Sequence, residues 1–318
     1  MEIVIVLAAV LGGLLAMYVL LGYIIFVAVF VRQKHGPKPA KGKLAERLMG
    51  EGVETFHSYR AEATARFSKV ECEEVRLKSA EGFDLYGRIY GSKNLTAPVI
   101  ICVHGYHGEF FADFAPISEK FLKEGYSVIA VDNRGHGKSG SRYIGMGCKD
   151  AEDVLKWVAY AETKFPDAPL FLYGISMGGA TVCTVSANAP EIVKGIISDC
   201  GFQSIKEVMS SIVKRIVKLP PAIVFLPMAE FFCRRINKFG FSEPSAIVSV
   251  KNATVPMLFI HGTADTFVTP DNGTALFDAC GSAKKELFEI KDAGHAQAYY
   301  HDSETYFEKV CEFISKAE

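Results

Sequence analysis

The sequence predicts an α/β protein with a mostly parallel sheet, helices on both faces of that sheet, and one membrane-spanning helix ahead of it. Near-continuous apolar runs alternate with helical stretches over most of the chain, which is typical of a parallel sheet buried on both faces. A long uncharged run occupies residues 3–31. The 318-residue chain has 22% charged and 12% aromatic residues, a composition that excludes intrinsic disorder.

The N-terminal run predicts a single transmembrane anchor over residues 1–31. It contains 29 consecutive residues without a charge. As a helix these residues would span roughly 44 Å, which is more than the roughly 30 Å hydrocarbon core of a bilayer. A cleaved signal peptide would have a basic start and a shorter apolar stretch, whereas only Glu2 precedes this run.

The segment after the anchor predicts its orientation. Six basic residues and one acid, Glu46, follow the run; the basic residues are Arg32, Lys34, Lys38, Lys41, Lys43 and Arg47. Positive flanks stay on the cytoplasmic side, so we expect the domain after residue 32 to be cytoplasmic.

The eight cysteines form no CxxC pair, which disfavours a zinc or disulfide framework and agrees with a reducing compartment. The formal net charge of −1 excludes bulk electrostatic binding of nucleic acid.

Residues 32–68 are predicted to form a juxtamembrane linker and helix, and residues 69–318 the main domain. The domain begins with two strands around Ala80-Glu81-Gly82, a hairpin signal. Further strands are predicted in PVIICVHG, YSVIAVD, LFLYGIS, VKGIISDC, PMLFIHG and KKELFEI, with helices between them and at the C-terminus.

An insertion at about residues 203–247 interrupts this alternation. It holds two helical segments separated by Pro220-Pro221. One face of the first segment is apolar at helical spacing, with Ile205, Val208, Met209, Ile212, Val213, Ile216 and Val217. We predict a small helical cap over the end of the sheet. Packing on the main domain would also explain these faces, and a role as a substrate lid is compatible with it.

Ser176 is the predicted nucleophile. It lies in Gly174-Ile175-Ser176-Met177-Gly178-Gly179, directly after a strand and before a helix. Such a turn exposes the serine hydroxyl, and glycines are needed because the backbone crowds itself there. The helix that begins at Met177 directs free N–H groups toward the place where negative charge would develop.

A serine hydroxyl needs a base and an acid that orients the base. His295 follows the last strand, and Asp265 follows the strand before it. Both therefore lie at carboxyl ends of strands, where open α/β sheets place their sites, and the chain order of serine, acid and histidine fits this architecture. Asp271 and Asp292 are nearby rivals with plain explanations as a helix cap and a loop residue.

Two loops after strands have predicted supporting roles. His104-Gly105-Tyr106-His107-Gly108 should place a backbone amide beside the serine, so that the Tyr106 and Met177 amides form an oxyanion hole. Metal binding by the two histidines is disfavoured, because the loop offers no acidic partner. The loop at 132–140 lacks phosphate-loop spacing and is interpreted as a structural turn with a buried hydrogen-bond network, which includes His136.

These motifs, in this order, resemble the α/β-hydrolase fold serine hydrolases. The resemblance covers residues 70–318 and is strongest to bacterial members close to monoacylglycerol lipases and prolyl-oligopeptidase-like hydrolases. It implies an α/β-hydrolase fold with an eight-stranded sheet and a cap after the sixth strand. It also implies Ser176, Asp265 and His295 as the triad and Tyr106 and Met177 as oxyanion donors. Serine at the nucleophile position disfavours epoxide hydrolases and dehalogenases, which carry aspartate there.

The predicted protein is a membrane-anchored serine hydrolase that cleaves carboxylic esters through an acyl-enzyme, without metal or organic cofactor. A small-molecule or lipid ester is the expected partner, and the anchor together with the apolar cap favours lipophilic acyl esters. Two alternatives stay open. One is a prolyl-oligopeptidase-like peptidase or amidase, and the other is a non-catalytic hydrolase-fold binding module.

Overall fold

The centre of the molecule is one eight-stranded sheet with the order β1-β2-β4-β3-β5-β6-β7-β8. A computed structural model describes residues 1–33, 52–91, 94–217, 224–242 and 245–317. The strands are β1 Glu73–Lys78, β2 Asp84–Tyr90, β3 Val99–Val103, β4 Ser127–Asp132, β5 Leu170–Ile175, β6 Val193–Asp199, β7 Met257–Gly262 and β8 Lys285–Ile290.

The sheet is antiparallel only at one edge. β1 pairs with β2 and β2 with β4 in antiparallel register, whereas every pair from β4 to β8 is parallel. The predicted hairpin and the predicted mostly parallel sheet are thus confirmed. All residues of β3, β4, β5 and β7 are buried, which explains why their sequences are apolar runs without alternation.

Helices cover both faces of the sheet. Apart from two four-residue helices, Ala246–Ser249 and Ala298–His301, the α-helices of the described residues are α1 Glu2–Phe30, α2 Val53–Phe67, α3 Phe110–Lys123, α4 Lys149–Lys164, α5 Met177–Val185, α6 Ile205–Ser211, α7 Leu226–Ile236, α8 Asp271–Ala279 and α9 Ser303–Ala317. One core cluster lies between the sheet and α4, α5, α7 and α8. The second lies between the sheet and α2, α3 and α9. This is the α/β-hydrolase architecture that the sequence predicts.

The N-terminal helix α1 is apolar and long enough to span a membrane. Most of its large side chains are exposed, but one face of its last turns is buried. Phe26 and Phe30 are buried in the first core cluster, and Gly22 lies against the side chain of Met228 in α7. The C-terminal end of α1 is therefore packed into the domain instead of leading away from it.

The segment predicted as a cap contains α6, a π-helical stretch Ile212–Val217 and α7. The predicted apolar face is buried at Ile205, Val208, Met209 and Val213. Residues 218–223, including Pro220-Pro221, lie outside the described residues, as do residues 34–51 of the predicted juxtamembrane segment. The described part of that segment, α2, packs along α3.

One helix contains a proline in its interior. Proline is favoured in the first turn of a helix, yet α3 begins at Phe110, six residues before Pro116. Phe110 and Phe114 are fully buried against the sheet. Burial of these aromatic side chains outweighs the loss of one helical hydrogen bond at the proline.

Candidate active site

Ser176 lies in a tight turn between β5 and α5. Its φ of +56° is a conformation that residues with a side chain rarely adopt. A Cβ at Gly174 would lie 2.1 Å from the carbonyl oxygen of Gly178, and one at Gly178 would lie 1.8 Å from that of Val103. Only glycine fits at these two positions, so the motif spacing has a direct steric cause.

The structure brings Ser176, His295 and Asp265 into one hydrogen-bonded chain. Ser176 Oγ and His295 Nε2 are 2.8 Å apart, and His295 Nδ1 and Asp265 Oδ2 are 2.7 Å apart. The three side chains come from the turns after β5, β7 and β8 and are all buried. This arrangement can pass a proton from the serine hydroxyl to the imidazole while the carboxylate orients the ring.

Asp265 is held as a carboxylate. Its Oδ1 accepts hydrogen bonds from the backbone amides of Phe267 and Val268, each at 2.9 Å. Burial alone would raise the pKa of Asp265, but His295 and His261 beside it lower that pKa to about 2. His261 Nε2 lies 2.8 Å from the carbonyl oxygen of Val268 and 3.5 Å from Asp265 Oδ2. His261 is therefore a second imidazole facing this acid.

The rival acids lie elsewhere. Asp271 is the first residue of α8, and Asp292 has a positive φ in the loop after β8, where its amide donates to Thr263 Oγ1 at 2.9 Å. Asp265, and neither rival, is the partner of His295 Nδ1.

The loop at residues 104–108, here called the oxyanion loop, runs beside the serine. A Cβ at Gly105 would be 3.4 Å from Ser176 Cβ. The amide of Gly105 donates to Asp113 Oδ2 at 2.8 Å, and that of His107 donates to His136 Nε2 at 3.1 Å. Between them, the Tyr106 amide has no acceptor among the described residues, and the same holds for the Met177 amide. Both amides are thus available to an oxyanion.

The histidines of the two loops hold backbone groups. His104 Nε2 accepts from the amide of Asn133 at 3.1 Å, and His104 Nδ1 lies 2.8 Å from the carbonyl oxygen of Gly105. Burial, with smaller effects of nearby charges, lowers the pKa of His136 to about 3, so its ring stays neutral and can accept the His107 amide. Arg134 forms two hydrogen bonds with Asp153, at 2.7 and 2.9 Å. The network predicted for residues 132–140 is present.

Sequence reasoning missed two residues at the end of β6. Asp199 is buried, its carboxylate accepts from Tyr306 Oη at 2.7 Å, and its backbone carbonyl accepts the Ser176 amide at 2.8 Å. Cys200 Sγ lies within 4.8 Å of donor atoms of Asp265 and His295. Burial holds the pKa of the Cys200 thiol well above its usual range, so the side chain is a buried, protonated thiol. Their position at the carboxyl end of a predicted strand was the available signal.

Comparisons with known proteins agree with the fold. A family described as serine aminopeptidase, S33, matches residues 96–236. The chain is 29% identical to a monoacylglycerol lipase of Mycolicibacterium smegmatis over 221 residues, which are 59% of this chain and 78% of the lipase. It is 25% identical to the uncharacterized membrane protein YNL320W of Saccharomyces cerevisiae over 203 residues, covering 63% of this chain and 65% of that one.

A solved structure shows the same fold. The Pyrococcus furiosus esterase Pf2001 superimposes with a TM-score of 0.65 at 23% sequence identity, over 80% of this chain and 93% of the esterase. Sheet order, the serine turn and these likenesses together show that the chain has the α/β-hydrolase fold. Monoacylglycerol lipases are among the proteins of similar sequence, and an esterase is among those of similar fold.

Proposed function

We propose that the chain is a serine hydrolase that cleaves carboxylic esters through an acyl-enzyme. The observation that carries the proposal is the hydrogen-bonded chain from Asp265 through His295 to Ser176 Oγ. The amides of Tyr106 and Met177 beside it add the second requirement of acyl transfer, because a tetrahedral intermediate needs donors for its oxyanion.

The proposed reaction has two halves. Ser176 Oγ attacks the ester carbonyl while His295 Nε2 takes the hydroxyl proton, and the tetrahedral oxyanion is bound by the two amides. His295 then gives this proton to the leaving alkoxide, which departs as the alcohol and leaves the acyl group on Ser176. Water, deprotonated by His295, attacks the acyl-enzyme, and the carboxylic acid leaves as Ser176 regains its proton. Each oxyanion donor contributes about 3 kcal/mol to such a reaction.

A fluorophosphonate probe tests the nucleophile. The wild-type chain should be labelled once, and Ser176→Ala should abolish both labelling and ester hydrolysis. Ser68→Ala, at the exposed end of α2, is the matched control and should behave like wild type. Equal labelling of the Ser176→Ala variant would overturn the assignment. An unlabelled and inactive wild type would favour the non-catalytic binding module.

We propose further that α1 anchors the chain in a membrane with the hydrolase domain in the cytoplasm. The support is the exposed apolar surface of α1 together with the basic residues that follow it. The full chain should remain in the membrane fraction after washing with high salt or carbonate and be released by detergent. A cytoplasmic reporter fused at the C-terminus should be active, and the matching periplasmic or luminal reporter inactive. The opposite reporter pattern would refute the orientation.

Lipophilic acyl esters are the proposed substrates. α7 packs along the anchor, where the rings of Tyr18 and Phe225 are 5.8 Å apart and those of Tyr23 and Phe232 are 5.2 Å apart. Val224 and Phe231 beside this contact are 61% and 51% exposed. An apolar surface next to a membrane helix favours substrates delivered from a bilayer. Among p-nitrophenyl esters, kcat/KM should rise from acetyl to medium and long chains; activity confined to acetyl esters would contradict this.

A peptidase or amidase is the second candidate, because the matching family is described as a serine aminopeptidase. The same triad chemistry can cleave amides, so the geometry does not separate the two reactions. Matched ester and anilide substrates with one acyl group distinguish them. A kcat/KM for the anilide that equals or exceeds that for the ester would favour the amidase.

A further inference from the structure

We propose that the N-terminal segment positions the oxyanion loop, through Arg60 of α2 on one side and the last turn of α1 on the other. Both elements lie outside the stretch that the family model matches, residues 96–236. Both nevertheless contact this loop or the residue that holds it. The inference rests on the proposed serine hydrolase activity, since it assigns these contacts to the binding of the oxyanion.

Arg60 acts through Asp113. The Arg60 guanidinium forms an ion pair with Asp113 Oδ1, and Asp113 Oδ2 accepts the Gly105 amide at 2.8 Å. The carboxylate therefore bridges α2 and the oxyanion loop. This acceptor fixes the peptide between His104 and Gly105, which is directly before the peptide that carries the Tyr106 amide, the proposed oxyanion donor.

Helix α3 offers Arg60 two acceptors, a backbone carbonyl and a carboxylate. Pro116 has no N–H, so the carbonyl oxygen of Ala112, four residues earlier, lacks its helical donor. Arg60 Nε donates to this oxygen at 2.5 Å. One guanidinium thus satisfies both the carbonyl released by the proline and the carboxylate one residue later. Both contacts are largely buried, where such charge-assisted hydrogen bonds are strong.

The anchor helix holds the other side of the loop. Tyr106 Oη donates to the carbonyl oxygen of Val29 at 2.9 Å. Val29 is in the last turn of α1, where carbonyls have no helical partner. Arg32 fastens this helix end, since its guanidinium donates to the carbonyl oxygens of Ser139 at 2.7 Å and Gly137 at 2.5 Å. Tyr106 and the preceding Gly105 are therefore held from different elements, the first by α1 and the second by α2 through Asp113.

These contacts should affect the transition state more than substrate binding. An oxyanion donor acts only when it already points at the developing charge, and a displacement of about 1 Å can lower a rate by about 10²-fold. Loosening the loop should therefore lower kcat and leave KM nearly unchanged. A purely structural role would instead lower stability and leave the kinetics of the folded fraction intact.

Arg60→Gln tests the α2 side in the full-length protein in detergent. We expect kcat for a short-chain ester to fall about 10–100-fold with KM within about two-fold. Inhibition by an aryl boronic acid, which forms a tetrahedral adduct with the serine, should weaken by a similar factor. Arg60→Lys should recover part of the loss, and Asp113→Asn should repeat it.

Arg66→Gln is the matched control. Arg66 lies on the same helix and pairs with Glu119 of α3 at 3.1 Å, away from the oxyanion loop. It should leave kcat and boronate inhibition unchanged. Equal kcat in Arg60→Gln and wild type, or equal losses in Arg60→Gln and Arg66→Gln, would overturn the proposal. Fluorophosphonate labelling of Ser176 in the wild type separates this outcome from failure of the proposed function.

Tyr106→Phe tests the α1 side, since it removes only the hydroxyl that reaches Val29. We expect a kcat loss of about 3–10-fold at constant KM. Tyr299→Phe removes a comparable hydroxyl-to-carbonyl contact, to Pro116 at 3.3 Å, and should leave kcat unchanged. An unchanged kcat in Tyr106→Phe would refute the contribution of the anchor.

Discussion

Rare backbone conformations are concentrated around the candidate site at the scale of single residues. Among the described residues, eight that are not glycine have positive φ, and four of them, Ser176, His107, Cys200 and Ala296, lie around this site. Each is in a turn at the carboxyl end of the sheet. Conformations of this kind cost of order 1–3 kcal/mol each and persist only where surrounding contacts impose them. Their clustering agrees with a site that is arranged before substrate binds.

Asp265→Asn should lower kcat by about 10⁴-fold, because an amide cannot hold His295 in the tautomer that accepts the serine proton. The measurement is steady-state ester hydrolysis, with folding checked by circular dichroism. Asp271→Asn, the rival acid at the start of α8, is the control and should retain full activity. A larger loss in the Asp271 variant would show that the wrong carboxylate has been assigned.

Asp199 should make stability depend on pH. Burial raises the pKa of Asp199 to about 6, above the ordinary value near 4. Between these pH values the native state binds more protons than the unfolded state, so the free energy of unfolding falls as pH rises from 4 to 6. In Asp199→Asn the free energy of unfolding should therefore decrease by about 2–3 kcal/mol less over this pH range than it does in the wild type.

Thermal unfolding at pH 4.5 and 7 measures this effect. The Tm of Asp199→Asn relative to the Tm of the wild type should be higher at pH 7 than at pH 4.5. The exposed Asp167→Asn should show no such shift. A pH-independent difference between wild type and the Asp199 variant would contradict the assignment.

The turn between β5 and α5 shows how an element places a residue. Gly178→Ala would set a Cβ 1.8 Å from the carbonyl oxygen of Val103, in the strand that leads into the oxyanion loop. We expect destabilisation by about 3 kcal/mol or more, together with loss of activity. Thermal unfolding and fluorophosphonate labelling measure both effects. Gly12→Ala in α1, where nothing lies within 4 Å, is the control and should keep the wild-type Tm.

The cysteines give a prediction for the whole molecule. All eight are reduced; six are buried, and Cys72 and Cys311 are half-buried. A thiol reagent such as DTNB should therefore modify at most these two in the native protein and all eight after denaturation. Rapid native modification of more than two would show that the buried core opens readily.

The mean hydropathy of +0.18 has two sources in the whole molecule. One is α1, whose large apolar side chains are mostly exposed, and the other is a sheet with buried strands between two helical layers. The two sources meet at the C-terminal end of α1, where Phe26 and Phe30 join the domain core.

The sequence alone determined the sheet, the order of its strand and helix segments, and the chemistry-bearing residues at strand ends. These features depend on local patterns: apolar runs, glycine spacing around Ser176, and histidine and aspartate directly after strands. Hence Ser176, Asp265 and His295 could be named together from the sequence, although their catalytic roles stay proposals.

Only the tertiary structure decided how distant segments meet. The contacts of Arg60 with Asp113 and of Tyr106 with Val29 join residues 53 and 77 positions apart. Such contacts leave no periodic trace in the sequence, because they depend on how packed helices direct single side chains toward one loop.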